Sequence, residues 1–303
     1  MRKGQHKVVT PLNIASSGNF ASAKLSKQGK ETLPGYGIVR ELGSGATATV
    51  FLAKDIRNAR YVALKILTPK NVADKNILNK FLFEAELLKK FVHPNIVKGF
   101  DYGSFEDIFF LAVEYVDGIS LRSVIDSNGA LQYERAIDII LQVAKAIEYM
   151  ESQGYIHRDI KPDNILISKN GVAKLCDLGF AQPITQIKGV SETTNGTVQY
   201  MSPEQAMGQK DLDIRSDIYS LGATFYHMVM GVTPFSGSSN LEIMAKQALE
   251  SLNSAGMKNK NISPLVLYFI EKMMAKEKDI RYTSPSELIE DIKIHLTGFK
   301  AMR

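Results

Sequence analysis

The chain has 303 residues, 45% of them hydrophobic and 23% charged, the balance of a folded globular protein with a substantial core. A single cysteine, Cys176, excludes an intrachain disulfide or a multi-cysteine metal site, and the longest apolar runs, such as Ile108 to Val113, are too short to span a bilayer. The net charge of +5 sits in residues 1–33, where Arg2, Lys3, Lys7, Lys24, Lys27 and Lys30 face only Glu31; the remaining residues balance.

No early apolar run of signal-peptide type is present, so a soluble, cytoplasmic protein is expected. Residues 1–33 are rich in Ser, Lys, Gly and Asn without periodicity and read as a flexible basic tail. With no dense basic run and no aromatic beyond Phe20, nucleic-acid binding is the weaker reading of that tail. Order is expected from Pro34–Tyr36 onward. Tyr36–Leu42, Thr49–Lys54, Tyr61–Leu67 and Ile108–Val116 read as strands. Between the last two, Asn76–Phe91 carries Ile77, Phe81, Glu84, Leu87 and Leu88 at helical spacing. After Val116 the chain turns helical, with Tyr133–Ser152, Asp217–Met230, Asn240–Leu252, Pro264–Met274 and Ser284–Leu296 as helices. Ser284 is placed as the N-cap of the last, with Pro285 at its first position and Glu287 three residues on. A strand-rich portion followed by a larger helical one gives an α+β fold of two lobes with a cleft between them.

Four clusters carry chemistry. Leu42-Gly43-Ser44-Gly45-Ala46-Thr47-Ala48-Thr49-Val50 is a hairpin turn or a phosphate cradle, since glycines let backbone amides approach phosphate oxygens. A strand rather than a helix follows, which speaks against a dinucleotide fold. In Val62-Ala63-Leu64-Lys65, the lysine is either an edge residue or a point charge for phosphate, and Glu84 is the acid available to hold it. Glu86 falls on roughly the opposite side of that helix. His157-Arg158-Asp159-Ile160-Lys161-Pro162-Asp163-Asn164 offers a base, a phosphate clamp and a metal ligand in Asp159, Lys161 and Asn164. Asp177-Leu178-Gly179 is a turn or a source of hard oxygen for Mg²⁺.

In this order, and with Ser202-Pro203-Glu204, Asp217-Ile218-Tyr219-Ser220-Leu221-Gly222 and Arg281 following, the clusters resemble the eukaryotic-type serine/threonine protein kinases, in the style of their bacterial members. The resemblance covers about residues 36–298. It implies a kinase domain over 34–298, with an N-lobe over 34–116, a C-lobe over 117–298 and a short end over 299–303. The N-lobe would be a small antiparallel sheet with one key helix, the C-lobe larger and mainly helical. It also implies ATP and Mg²⁺ as cofactors and protein substrates bearing Ser or Thr. By resemblance Asp159 accepts the substrate hydroxyl proton and Lys161 steadies the transferring group. Asn164 and Asp177 hold Mg²⁺, and Lys65, fixed by Glu84, contacts the α and β phosphates.

Adenine would lie among Leu42, Val50, Ala63 and Leu166, with Val113 as gatekeeper and the backbones of Glu114 and Val116 at the hinge. Gly43, Ser44, Gly45, Ala46, Thr47 and Ala48 would cover the phosphates. In the activation segment, Thr197 would bridge to Asp159 and Lys161, and Glu204 would pair with Arg281. Thr193 or Thr194 would carry a phosphate facing Arg158. Ala48 for the third loop glycine, Leu178 for phenylalanine and Ser202 for alanine depart from the family pattern without removing a charged participant. The alternative is a pseudokinase scaffold, but Lys65, Glu84, Asp159, Asn164 and Asp177 are all present. Self-association for trans-autophosphorylation is expected. Membrane attachment is expected only if the natural chain extends past Arg303.

Overall fold

The computed structural model of the chain describes residues 33–186, 197–252, 257 and 262–301. The first three strands, β1 (Tyr36–Ser44), β2 (Ala48–Asp55) and β3 (Arg60–Leu67), follow one another antiparallel. With β4 (Gly99–Phe105) and β5 (Ile108–Glu114) they form a sheet in the order β1-β2-β3-β5-β4. On β3 the branched residues Val62, Leu64 and Ile66 are buried, while Ala63 and Lys65 share the other, half-buried face. Register sets Val50 opposite Lys65 and Leu52 opposite Ala63. Leu33, read as the last residue of the tail, belongs to the fold. It is buried, and its carbonyl accepts the Tyr36 amide across a turn in which Gly35 has φ +86°.

Two helices follow β3: the single turn α1 (Pro69–Val72) and α2 (Lys75–Lys90). Along α2, Phe81, Glu84, Ala85, Leu87 and Leu88 are buried and Glu86 is exposed, so the helical period separates the two glutamates as expected.

The chain divides into two compact units. One holds the residues up to Leu82 with Tyr102–Ala112; the other holds Phe83–Asp101 with the residues from Val113. This grouping is discontinuous in sequence, unlike a boundary after Val116. The second half of α2 goes with the helical unit because Phe83 and Phe91 meet Tyr155 at 6.4 and 5.6 Å, and Phe91 meets Tyr149 edge-on at 5.7 Å.

The helical unit is built from α3 (Leu121–Asn128), α4 (Tyr133–Ser152), α5 (Pro203–Ala206), α6 (Ile214–Met230), α7 (Asn240–Leu249), α8 (Pro264–Met273) and α9 (Pro285–Ala301). The α4 stripe of Ala136, Ile137, Ile140, Val143, Ala144 and Ile147 is buried, and this helix packs on α6 and α9. Nearly every side chain of α6 is buried. Gly222 lets α8 come close: a Cβ there would lie 2.7 Å from Met273 Cβ. At the start of α9 the Ser284 hydroxyl accepts the Glu287 amide, and the Glu287 carboxylate reaches back to Thr283.

Two small sheets frame the polar loops. One runs β6 (Gly118–Ser120), β8 (Ile165–Ser168), β9 (Ala173–Leu175); the other pairs β7 (Tyr155–Ile156) with β10 (Gln182–Pro183). Residues 157–164 thus lie between β7 and β8, and Cys176-Asp177 directly follows β9.

Candidate active site

The helical unit gathers the polar residues of these loops. Asp159 is held on both carboxylate oxygens. Lys161 Nζ donates to Oδ1 at 3.0 Å and Oδ2 at 2.8 Å, and Asn164 Nδ2 donates to Oδ2 at 2.8 Å. Burial pushes the Asp159 pKa above the ordinary aspartate range, and Lys161 opposes that rise. The Asn164 amide also donates to the Asp159 carbonyl at 2.8 Å. Its nitrogen being so engaged, the Asn164 side-chain oxygen is the atom left to face a cation.

Asp177 has φ +59° and Arg158 has φ +70°, left-handed conformations that non-glycine residues seldom adopt. The Arg158 strain is held from two sides. Its amide donates to Asp217 at 2.7 Å, and its carbonyl accepts Gln205 Nε2 at 2.9 Å. Asp217, on α6 and fully buried, accepts the His157 amide as well, at 2.7 Å. His157 Nδ1 accepts the Asp159 amide at 3.2 Å and so carries no proton; Nε2–H therefore donates to the Cys176 carbonyl at 3.3 Å. Burial lowers the His157 pKa, consistent with this neutral tautomer. One imidazole thus joins the loop of Asp159 to the strand end that carries Asp177.

Cys176 is half-buried, its amide and thiol both directed to the Asn164 carbonyl, at 2.9 and 3.3 Å. Leu178 is buried. A Cβ on Gly179 would lie 3.3 Å from Asp177 Oδ1 and 3.8 Å from Glu84 Oε2, so the Glu84 carboxylate stands beside this turn. Val113 and Glu114 end β5, Val116 follows, and Leu166 lies on β8; all four are half-buried. The Glu114 amide donates to the Lys98 carbonyl at 2.8 Å, and its carboxylate takes Lys174 at 3.0 Å.

Glu204, in the first turn of α5, meets Arg281 in a buried bidentate pair, 2.8 and 2.9 Å, with the Ser216 hydroxyl at 2.6 Å. Burial alone would raise the Glu204 pKa; the Arg281 hydrogen bonds and charge hold it below the ordinary glutamate value. The Thr197 side chain forms no hydrogen bond to Asp159 or Lys161 among the described residues; Lys161 lies directly on Asp159 instead. Thr193 and Thr194 lie outside the described residues.

The other unit presents the glycine hairpin. Ser44 pairs with Thr49, and the Gly45 amide donates to the Ala48 carbonyl at 2.9 Å, which leaves Ala46 and Thr47 at the tip. A Cβ on Gly43 would meet nothing within 4 Å among the described residues, and its φ is not left-handed, so the fold itself does not demand glycine there. Leu42 precedes this glycine, and Val50, Ala63 and Lys65 follow on the paired strands, half-buried.

The residues fit Mg²⁺. Among the described residues no group of three or more His, Cys, Asp or Glu side chains forms a cage, and Mg²⁺ is commonly held by one or two carboxylates together with substrate phosphates. Asp177 with the Asn164 oxygen is such a set. Two participants escaped the sequence reading: Asp217, matched to the family without a role, and His157, whose ring joins the two loops.

The protein kinase domain family matches residues 36–294. The chain is 37% identical over 260 residues to a Clostridium perfringens protein named "Probable serine/threonine-protein kinase CPE1738", covering 85% of this chain and 38% of that one. It is 36% identical over 277 residues to the serine/threonine-protein kinase PrkC of Bacillus subtilis, covering 91% and 42%. Against the serine/threonine-protein kinase PknB of Mycolicibacterium smegmatis it is 35% identical over 268 residues, covering 86% and 43%. The chain spans about two fifths of the length of these curated relatives.

Proposed function

This chain belongs to the protein kinase family, and from that premise we propose that it transfers the γ-phosphoryl group of ATP to Ser or Thr hydroxyls of protein substrates, itself included. The Asp159–Lys161–Asn164 cluster carries the reading, because it supplies a fixed carboxylate with a cation at hydrogen-bond distance. Asp159 orients the substrate hydroxyl and takes its proton as that oxygen bonds to the γ-phosphorus and the bond to the β–γ bridging oxygen breaks, releasing ADP. Lys161, held on Asp159, steadies the transferring group. Lys65 would contact the α and β phosphates. Asn164 and Asp177 would hold Mg²⁺, which when bound supplies charge neutralisation at the phosphates. For the adenine, one unit would offer the apolar side chains of Leu42, Val50 and Ala63, and the helical unit Leu166, Val113 and the Glu114 and Val116 backbones. Gly43, Ser44, Gly45, Ala46, Thr47 and Ala48 cover the phosphates.

Among the described residues no helix is long and apolar enough to cross a membrane. An ATP-using domain belongs in the cytoplasm, where its nucleotide is. Protein substrates and self-association for trans-autophosphorylation complete the reading. The test is mass spectrometry after incubation with MgATP, for wild type and Asp159→Asn. Wild type is expected to gain phosphate and the variant to bind ATP but turn over at least about 10²-fold more slowly, the lower range for a positioned general base. Equal rates would overturn the role of Asp159, and nucleotide binding without phosphate transfer by wild type would favour a pseudokinase.

A further inference from the structure

The tip of the glycine hairpin is tied down by residues just beyond β3. Asn71, on α1, is buried, and its Nδ2 donates to the Ala46 carbonyl at 2.9 Å and the Thr47 carbonyl at 3.1 Å, with the Thr68 hydroxyl 2.6 Å from the same nitrogen. Thr68 adds two bonds to the Thr47 carbonyl, from its amide at 3.0 Å and its hydroxyl at 3.2 Å. Both carbonyls of the tip are therefore engaged on one side. In a trans peptide the C=O and the following N–H point in opposite directions. Fixing the Ala46 carbonyl on Asn71 thus turns the Thr47 amide to the other side. Neither the Ala46 nor the Thr47 amide donates a hydrogen bond among the described residues.

We propose that Asn71, with Thr68, is a positioning residue that holds the hairpin tip in the shape that presents the Thr47 amide to the terminal phosphates of ATP. The proposal rests on the kinase reading above. Asn71 touches no nucleotide; it acts through the peptide plane it fixes. A free glycine hairpin samples many tip conformations, and a carboxamide donating to two successive carbonyls selects one. The orientation of the phosphate-facing amide is then set before the nucleotide arrives, which lowers the ordering cost of binding.

The experiment measures ATP and adenosine affinities of the full chain by calorimetry, with Mg²⁺ present, for wild type, Asn71→Ala, Asn71→Asp and Thr68→Val. Asn71→Ala is expected to weaken ATP binding about tenfold, the effect of one hydrogen bond, while adenosine binding stays within about twofold. Asn71→Asp, whose carboxylate faces two carbonyl acceptors, should do at least as much. Thr68→Val keeps the backbone bond and Asn71, and should weaken ATP binding by a smaller factor; it decides the matter if the Asn71 variants fail to fold. Equal loss of both ligands, or loss of neither, would overturn the proposal and leave the kinase reading intact. A wild-type chain that binds no ATP would overturn both.

Discussion

Arg158 holds a left-handed backbone, and its Nε is buried without a hydrogen-bond partner among the described residues. Such a conformation costs about 1–3 kcal/mol and persists where neighbours over-determine it, here Asp217 and Gln205. Burial also lowers the pKa of the guanidinium. A half-buried cationic group with an idle donor is matched by a phosphate, which brings about −1.5 to −2 charge and three acceptor oxygens. The proposed source is Thr193 or Thr194. After incubation with MgATP, mass spectrometry should find phosphate on one of them. The Thr193→Ala/Thr194→Ala protein should lose at least about tenfold in activity toward an added substrate, the worth of one charge-assisted hydrogen bond. Unchanged activity in the double variant would show that the segment is ordered by other means. At this scale much was legible beforehand. Glu84 was separable from Glu86 by helical period and by its spacing to His93-Pro94-Asn95; one falls in the buried stripe and the other outside it. Asn71 was not legible, because an asparagine after Thr-Pro-Lys reads as ordinary turn chemistry until its acceptors are known.

Among the elements, α5 is a single turn whose position is set by side chains at both ends. Ser202 and Gln205 close a capping box at its start, and the same Gln205 reaches the Arg158 carbonyl. Glu204 within it is tied to Arg281, which also donates to the carbonyls of Ala275 at 2.7 Å and Lys276 at 2.8 Å. Both partners of the ion pair are buried, so removing one strands the other. Arg281→Met should therefore destabilise the fold by about 3–5 kcal/mol, while Glu204→Leu/Arg281→Met should cost less than that single change. Urea unfolding of the variants measures both. Because the Glu204 pKa is depressed in the fold, the pair's contribution is complete above the glutamate value of 4.5 and fades as pH falls through the lower folded value. Wild type should lose this increment on acidification, and the double variant should not. Long amphipathic helices were legible to within a few residues because their stripes repeat over several turns, as on α4. The strands β6, β7, β9 and β10 span only two or three residues, too few for a period to show. The longer β4, with its run Gly-Phe-Asp-Tyr-Gly, lacks a clean alternation.

At the scale of the whole molecule, order of motifs carried more than any motif alone. Each cluster had a plain structural reading, and their sequence along one chain removed it. What stayed hidden were links between distant stretches. Asp217 is 60 residues from His157 and 59 from Arg158, yet its carboxylate takes both their amides. No local pattern announces a buried carboxylate that caps a remote backbone. The division into two units was hidden for a related reason, since it follows aromatic contacts of Phe83 and Phe91 rather than a linker.

The Asp217 clamp has a consequence for solvent access in time. Loop amides ordinarily trade their hydrogens for solvent deuterium quickly, because little opening is needed. Those of His157 and Arg158 are bound to a side chain rooted in α6, whose neighbours are almost all buried. Their exchange waits on release of the Asp217 carboxylate, which is itself fully buried. Deuterium uptake followed by mass spectrometry should find these two loop amides as slow as the middle of α6. In Asp217→Asn, whose carboxamide offers a single oxygen, at least one of them should become fast. The 157–164 loop would then share the opening lifetime of a helix whose side chains are almost all buried.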